Sequence, residues 1–169
     1  MKSLIASICI LGLVGMVVGV ITQAQTDDVQ VAATVTPELI SVTVDVSSVA
    51  YGIVPLSTVD AAPDPDSVIT PRNAGNVTVK LDIRGAGSTN WTLSSSAVGA
   101  NQFMHKFGPW NDPTLGTLVP LDSVAYAALD ASVDPQTAGQ AFKLRLSTPD
   151  STTNYVEEST TVTVLATKI

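Results

Sequence analysis

Few side chains in this sequence have the types and spacing that catalysis requires. The single histidine, His105, lies in the segment QFMHKF, where strand alternation places it on the same face as Phe103 and Phe107. A lone histidine among aromatic residues is typical of a buried structural position, whereas a hydrolase or peptidase would need His105 in a polar pocket. The sequence contains no HExxH or GxSxG motif and no Cys/His cluster. We therefore predict that the protein is not an enzyme, and a secreted hydrolase that uses His105 is the least favoured hypothesis.

The loop VDAAPDPDS carries three closely spaced carboxylates, Asp60, Asp64 and Asp66. Carboxylate and carbonyl oxygens are the ligands that Ca²⁺ prefers in proteins. The loop lacks the spacing of an EF-hand and its closing glutamate, so a solvated acidic loop is the simpler interpretation. We predict no cofactor, and the three aspartates remain only a weak calcium candidate.

The N-terminal segment predicts export. An uncharged apolar run extends from Leu4 to Ile21, preceded by Lys2 and followed by small residues that favour cleavage after Ala24. The run is nearly as long as the ~20 residues that span a bilayer, so a retained anchor is the alternative to a cleaved signal peptide. Both interpretations place the rest of the chain at the cell surface or in the medium. The only cysteine, Cys9, lies within this segment, so the exported part has no disulfide.

Two Asn-X-Thr sequons would offer glycosylation sites in an exported chain. Asn76 begins NVT and Asn90 begins NWT, and both lie beside a predicted turn from which a glycan could project. Sequons also arise by chance in a chain rich in Asn and Thr. Trp91 and Trp110 lie in predicted loops, where exposed aromatic rings could form a carbohydrate-binding surface.

The rest of the chain consists of short alternating segments separated by Pro, Gly, Asn and Asp, which predicts an all-β fold. We expect a single antiparallel β-sandwich of Ig-like or jelly-roll type with an N-terminal extension strand. Lys143 and Arg145 are expected to face water. The positions expected to face the core are Val77, Val79, Leu81 and Ile83; Phe142, Leu144 and Leu146; Val162, Val164 and Ala166; and Ile40, Val42, Val44 and Val46.

The composition excludes some partners. The formal net charge is −7 and only 14% of the residues are charged. An acidic surface repels nucleic acid and anionic lipid head groups. We therefore predict no nucleic-acid partner and, once the signal peptide is removed, no membrane partner.

Several longer sequence segments resemble those of a known protein family. VSSVAYGIVPLSTV followed by SVITPRNAGNVTVKLDIRG resembles a common pattern of Ig-like surface domains. NWTLSSSAVGANQFMHKF and FKLRLSTPDSTTNYVEESTTVTVLAT are similar to the secreted β-sandwich subunits of archaeal bundling pili and threads, which are related to the TasA/camelysin class of biofilm fibre proteins. The resemblance covers roughly the whole exported part and implies a filament for adhesion, cell bundling or biofilm matrix. The protease label sometimes attached to camelysin-type proteins is not transferred, because no residues here could carry that activity.

The resemblance also implies assembly by donor-strand complementation, in which one copy's N-terminal strand fills a groove in the next. Pro37 divides the long strand-like stretch, so residues 39–46 would form the subunit's own first strand and residues 29–36 the donated one. A head-to-tail contact of this kind propagates into a homopolymer. The resulting plan is a signal peptide at 1–24, a donor strand at 25–37 and a sandwich domain at 38–169. The side chains that would enter the neighbour are Val29, Val31, Ala33 and Val35.

Two alternatives remain open at the level of sequence. Residues 29–36 could fold back onto the subunit's own sheet as an edge strand. The protein could also be a monomeric Ig-like adhesin or carbohydrate-binding module that uses Trp91 and Trp110.

Overall fold

The computed structural model describes residues 34–112 and 116–169, and this part of the chain is all-β, with nine strands and no helix. The predicted all-β class is thereby confirmed. The chain divides into two units between Thr36 and Pro37, and every strand lies in the second unit. The predicted signal peptide lies outside the described residues. The strands are β1 (Val42–Val44), β2 (Pro71–Asn73), β3 (Val79–Arg84), β4 (Thr92–Leu93), β5 (Gln102–Pro109), β6 (Val119–Pro120), β7 (Ala127–Val133), β8 (Phe142–Ser147) and β9 (Thr163–Lys168).

The first sheet has three strands in the order β7-β3-β9, and both of its pairings are antiparallel. β3 is central, and its residues alternate between buried and half-buried as a strand with one face on the core should. Val79, Leu81 and Ile83 are fully buried, as the alternation predicted. β9 forms one edge of this sheet.

The second sheet is built around β5 and β8. β5 pairs in parallel with β4 and antiparallel with β6 and β8. The other edge of β8 is bridged at Leu146 by Ala61 and at Phe142 by Ile69. The chain then continues from Ile69 into β2, which pairs antiparallel with β1. β1 and β2 form a third, two-stranded sheet beyond the β8 edge of the second sheet.

The main hydrophobic core lies between the two sheets. It joins Ile83 of the first sheet to aromatic side chains of the second, among them Phe107 and Phe142, whose rings meet edge to face at 6.3 Å. Burying these apolar surfaces supplies the main driving force for folding in a part of the chain that has no cysteine. Its buried members are Ile69, Ile83, Leu93, Phe103, Phe107, Leu121, Phe142 and Leu144.

One predicted surface position is buried. Arg145 was expected to face water, but it is only 6% exposed. Alternation does place it on the outer face of β8, but Asp66 covers it, with Nη1 and Oδ1 at 2.8 Å. The Arg145 guanidinium lowers the pKa of the Asp66 carboxyl, helped by Lys143. The alternation of apolar and polar residues correctly predicted the face of β8 on which Arg145 lies. It could not predict that the loop carrying Asp66 would bury that face.

Residues 37–41 are fastened to the turn at 73–76, and we call this arrangement the N-terminal clamp. Ala74 N–H donates to Ser41 O at 2.9 Å, and Asn76 N–H donates to Leu39 O at 3.0 Å. The Asn76 side chain accepts from Leu39 N–H at 2.7 Å and donates to Pro37 O at 2.9 Å. A Cβ at position 75 would lie 2.2 Å from the Leu39 carbonyl oxygen, so only glycine fits beneath the clamp.

We expect Asn76→Ala to lower the free energy of unfolding by about 1 kcal/mol, because two partly solvated hydrogen bonds of ~0.5–1.5 kcal/mol each are lost. The amide of Leu39 should also exchange faster with deuterium. Chemical denaturation and hydrogen exchange would measure both effects. Thr78→Ala is the matched control, since it destroys the same sequon but keeps the clamp. Equal destabilisation by both variants would assign the effect to the sequon and not to the clamp.

Candidate strand-binding groove

An apolar groove of about 1040 Å³ opens on the side of the domain where β1 and β9 lie. Its floor consists of Ile69 and three side chains of β8, which are Phe142, Leu144 and Leu146. One wall is formed by Val44 and Val46, and the other by Val162 and Val164. Residues 47–56 and 154–160 form the two rims.

The groove exists because the two sheets differ in width. The first sheet ends at β9, whereas isolated bridges at Ala61 and Ile69 extend the second sheet past β8 towards the two-stranded sheet of β1 and β2. Among the described residues, no strand pairs with the outer edge of β9. Of the three β8 side chains on the groove floor, Phe142 and Leu144 are buried and Leu146 is half-buried.

The β1 wall differs from its predicted burial. Ile40, Val42, Val44 and Val46 were expected to share a buried face, but Ile40 is 48% and Val44 is 39% exposed. Hydrogen bonds link Leu39, Ser41 and Asp45 in turn to Asn76, Ala74 and Thr70, so this stretch is extended and paired along one edge. Val44 and Val46 face the open groove, whereas Val42 packs against the core cluster of Val79, Leu81 and Val133.

The rims carry apolar side chains that face solvent. Ile53 on one rim is fully exposed, and Tyr155 and Val156 on the other are mostly exposed. Glu158 holds the second rim to the domain, since its carboxylate accepts from the Asn90 side-chain amide at 2.5 Å and from the Asn90 backbone at 3.2 Å. These bonds lower the pKa of Glu158.

His105 lies below the groove and is 3% exposed. Its Nε2 lies 2.8 Å from the Tyr51 hydroxyl, and its Nδ1 has no hydrogen-bond partner among the described residues. Burial lowers the pKa of His105 to about 4 and raises the pKa of Tyr51. The imidazole is therefore neutral at physiological pH. It packs edge to face against Tyr51 and lies 6.5 Å from the Phe103 ring, on the face that the alternation predicted.

The structure does not bring the three loop aspartates together as a metal-binding group. Asp60 Oδ1 lies 2.8 Å from Lys106 Nζ, and Asp66 pairs with Lys143 and Arg145 at 2.8 Å each. Asp64 is exposed. In the described ranges, no group of three or more His, Cys, Asp or Glu side chains could hold a metal ion.

Both sequon asparagines use their side-chain amides in the fold. Asn76 belongs to the N-terminal clamp, and Asn90 holds Glu158 on the groove rim. A glycan at either nitrogen would replace one of its two N–H donors. Glycosylation at Asn90 would therefore act directly on the groove.

The two tryptophans lie at opposite ends of β5. Trp91 precedes β4, which pairs with the start of β5, whereas Trp110 follows the last residue of β5. Eight strand residues separate these ends by about 25 Å. Trp91 packs on Phe103 and donates from Nε1 to Thr152 at 3.0 Å, so it is part of the core edge and not a free loop aromatic. The two rings do not form a joint surface for a sugar.

The predicted donor residues fall almost entirely outside the described part of the chain. Val29, Val31 and Ala33 lie outside the described residues, and Val35 lies in an irregular segment and is 90% exposed. The described residues contain no helix long and apolar enough to cross a membrane. No protein-family model, no curated protein sequence and no solved structure matches this chain.

Proposed function

We propose that this protein is the structural subunit of an extracellular filament, polymerised when residues 29–36 of one copy enter the groove of the next. The apolar groove between β1 and β9 carries this proposal. Val44 is 39% exposed in it and Leu146 and Val164 are half-buried, and partly covered apolar side chains of this kind are what a strand from another chain could cover.

The proposed occupant matches the groove in chemistry and length. Residues 29–36 contain no charged side chain and alternate apolar with polar at most positions. Eight extended residues span about 26 Å, which is enough to run the length of six-residue β9 and reach its rim. Such a strand would bury the partly exposed apolar side chains of the groove, which are Val44, Val46, Leu146, Val162 and Val164.

The N-terminal clamp favours donation over self-insertion. Asn76 holds both Leu39 N–H and Pro37 O, so the chain stays alongside the 73–76 turn as far as Pro37. To enter its own groove, the strand would have to reverse direction at once, upstream of Pro37. Donation to a neighbour requires no such reversal.

The test is electron microscopy of negatively stained protein recovered from the cell surface or medium. We expect uniform thin fibres from the full chain and none after deletion of residues 25–36. Val31→Asp should also abolish fibres, because it would place a carboxylate in an apolar groove. Gln30→Asp is the matched control, since it puts the same charge on the opposite face of the strand, and it should assemble. Fibres that persist in the deletion would contradict the proposal.

A further inference from the structure

The geometry points to β9 as the strand that receives the incoming strand, with the two running antiparallel. This inference rests on the proposed function. The incoming strand would pair with β9, so that the first sheet would have four strands instead of three. The apolar side chains of the incoming strand would pack against the groove floor.

The backbone of β9 already presents hydrogen-bonding groups to the groove side. Ile169 N–H donates to Thr78 O at 3.3 Å, and these two residues lie opposite each other one step beyond the β3–β9 register. In an antiparallel ladder, hydrogen-bonded pairs alternate with pairs that are not bonded. The odd-numbered residues of β9 therefore bond to β3, and the backbone groups of Val164 and Ala166 face the outer edge.

The side chains of β9 alternate between the groove side and the outer face, as the pairing with an incoming strand requires. Val162, Val164 and Ala166 are half-buried and pack against the core, whereas Leu165 is 39% exposed on the outer face. A strand paired with β9 would also have an inner and an outer face, and its apolar side chains would lie on the inner face, towards the groove floor. The incoming row would be Val29, Val31, Ala33 and Val35.

β1 also borders the groove but is the poorer acceptor. β1 and β2 form a two-stranded sheet, which the isolated bridge at Ile69 joins to the outer edge of the floor strand β8. A strand added to β1 would lie beside the floor in that same sheet, about 4.8 Å further out. Only a strand in the opposite sheet, about 10 Å away, would lie over the groove floor and cover Leu146, which is half-buried.

Charge selects the antiparallel direction. Asp27 and Asp28 precede the incoming strand, Glu157 and Glu158 precede β9, and Lys168 ends β9. A parallel alignment would bring the two pairs of carboxylates together at one end. An antiparallel alignment instead brings Asp27 and Asp28 towards Lys168, which already pairs with Glu38.

Disulfide trapping in fibres tests the choice of edge, in a Cys9→Ala background. Ala32→Cys with Leu165→Cys places two outward-facing thiols at the centres of the two strands. Leu165 would lie in a non-hydrogen-bonded pair, where Cα atoms about 4.5 Å apart permit a disulfide. Ala32→Cys with Thr43→Cys is the matched control, because Thr43 has the equivalent outward position on β1.

We expect a ladder of covalent multimers on non-reducing gels from the Leu165 variant and single subunits from the Thr43 variant. A ladder from the Thr43 variant alone, or from neither variant while fibres are visible, would overturn the choice of β9 and leave the filament proposal intact. A disulfide within one chain of the Leu165 variant would keep β9 as the acceptor edge but contradict donation. Absence of fibres in the parent would contradict the filament proposal itself.

A second pair of cysteine variants tests whether the incoming strand runs antiparallel to β9. Asp28→Cys with Ile169→Cys should give multimers, because these outward-facing positions lie opposite each other in the antiparallel register that pairs residue 32 with Leu165. Asp28→Cys with Thr161→Cys should not, because residues 28 and 161 lie opposite each other only in the parallel register. The reverse result would show a parallel strand and overturn the antiparallel assignment, whatever edge is used.

Discussion

Val44→Asp is expected to raise the protein concentration needed for assembly by at least about 100-fold while the subunit stays folded. Val44 forms part of the β1 wall of the groove, and its 39% exposure means that the isolated subunit can hydrate a carboxylate there. An incoming strand would remove that water, and burying an unpaired charge costs several kcal/mol. About 3 kcal/mol corresponds to a 100-fold change in an association constant.

The measurement is the concentration dependence of fibre formation, followed by light scattering and checked by electron microscopy. Circular dichroism would confirm that the variant is folded. Thr43→Asp is the matched control, because it places the same charge one residue earlier on the opposite face of β1, and it should assemble like the parent. If Val44→Asp and Thr43→Asp assemble equally well, the groove is not the binding surface.

Acidification from pH 6.5 to pH 4 is expected to lower the free energy of unfolding by about 3 kcal/mol through His105 alone, at ~1.4 kcal/mol for each unit of pKa difference. The unfolded chain binds a proton at His105 near the ordinary pKa of 6.5, whereas burial lowers the pKa of the folded state to about 4. Between these values the unfolded state binds more protons, so stability rises with pH and falls as acid is added. Below pH 4 both states are protonated and the loss from His105 is complete.

Chemical denaturation at a series of pH values would measure this loss, with His105→Phe as the test variant. His105→Phe keeps an aromatic ring in the site but cannot take up a proton, so its stability should change much less between pH 6.5 and pH 4.5. The carboxyls with lowered pKa values, Asp66 and Glu158 among them, act at lower pH and should affect both proteins alike. The same loss of stability in both proteins over this interval would contradict the role assigned to His105.

The sequence predicted which face of a strand points inward better than it predicted what covers that face. Leu81 and Val44 occur in equally regular alternating segments, yet Leu81 is fully buried and Val44 is 39% exposed. The difference arises from the opposite sheet, which covers one position and stops short of the other. Alternation is a property of a few neighbouring residues, whereas coverage depends on strands far away along the chain.

The same limit applies to the polar groups. The face on which His105 lies followed from its neighbours, but its partner Tyr51 is 54 residues away. The acidic residues around Asp66 in the sequence suggest a calcium ligand, but its partner in the fold is Arg145, 79 residues away. The sequence shows which polar and charged residues are present. Which of them form hydrogen bonds or ion pairs with each other depends on the fold.

The N-terminal clamp gives a proposed filament a particular response to pulling. In such a filament, tension would enter each subunit at Pro37 and act along the direction of residues 39–45. The hydrogen bonds from Leu39, Ser41 and Asp45 to the neighbouring stretch lie across that direction. Force would load them together in shear instead of peeling them apart one at a time. Glycine at position 75 lets the two backbones approach closely enough for this, so a residue with no side chain would help to set the breaking strength of the fibre.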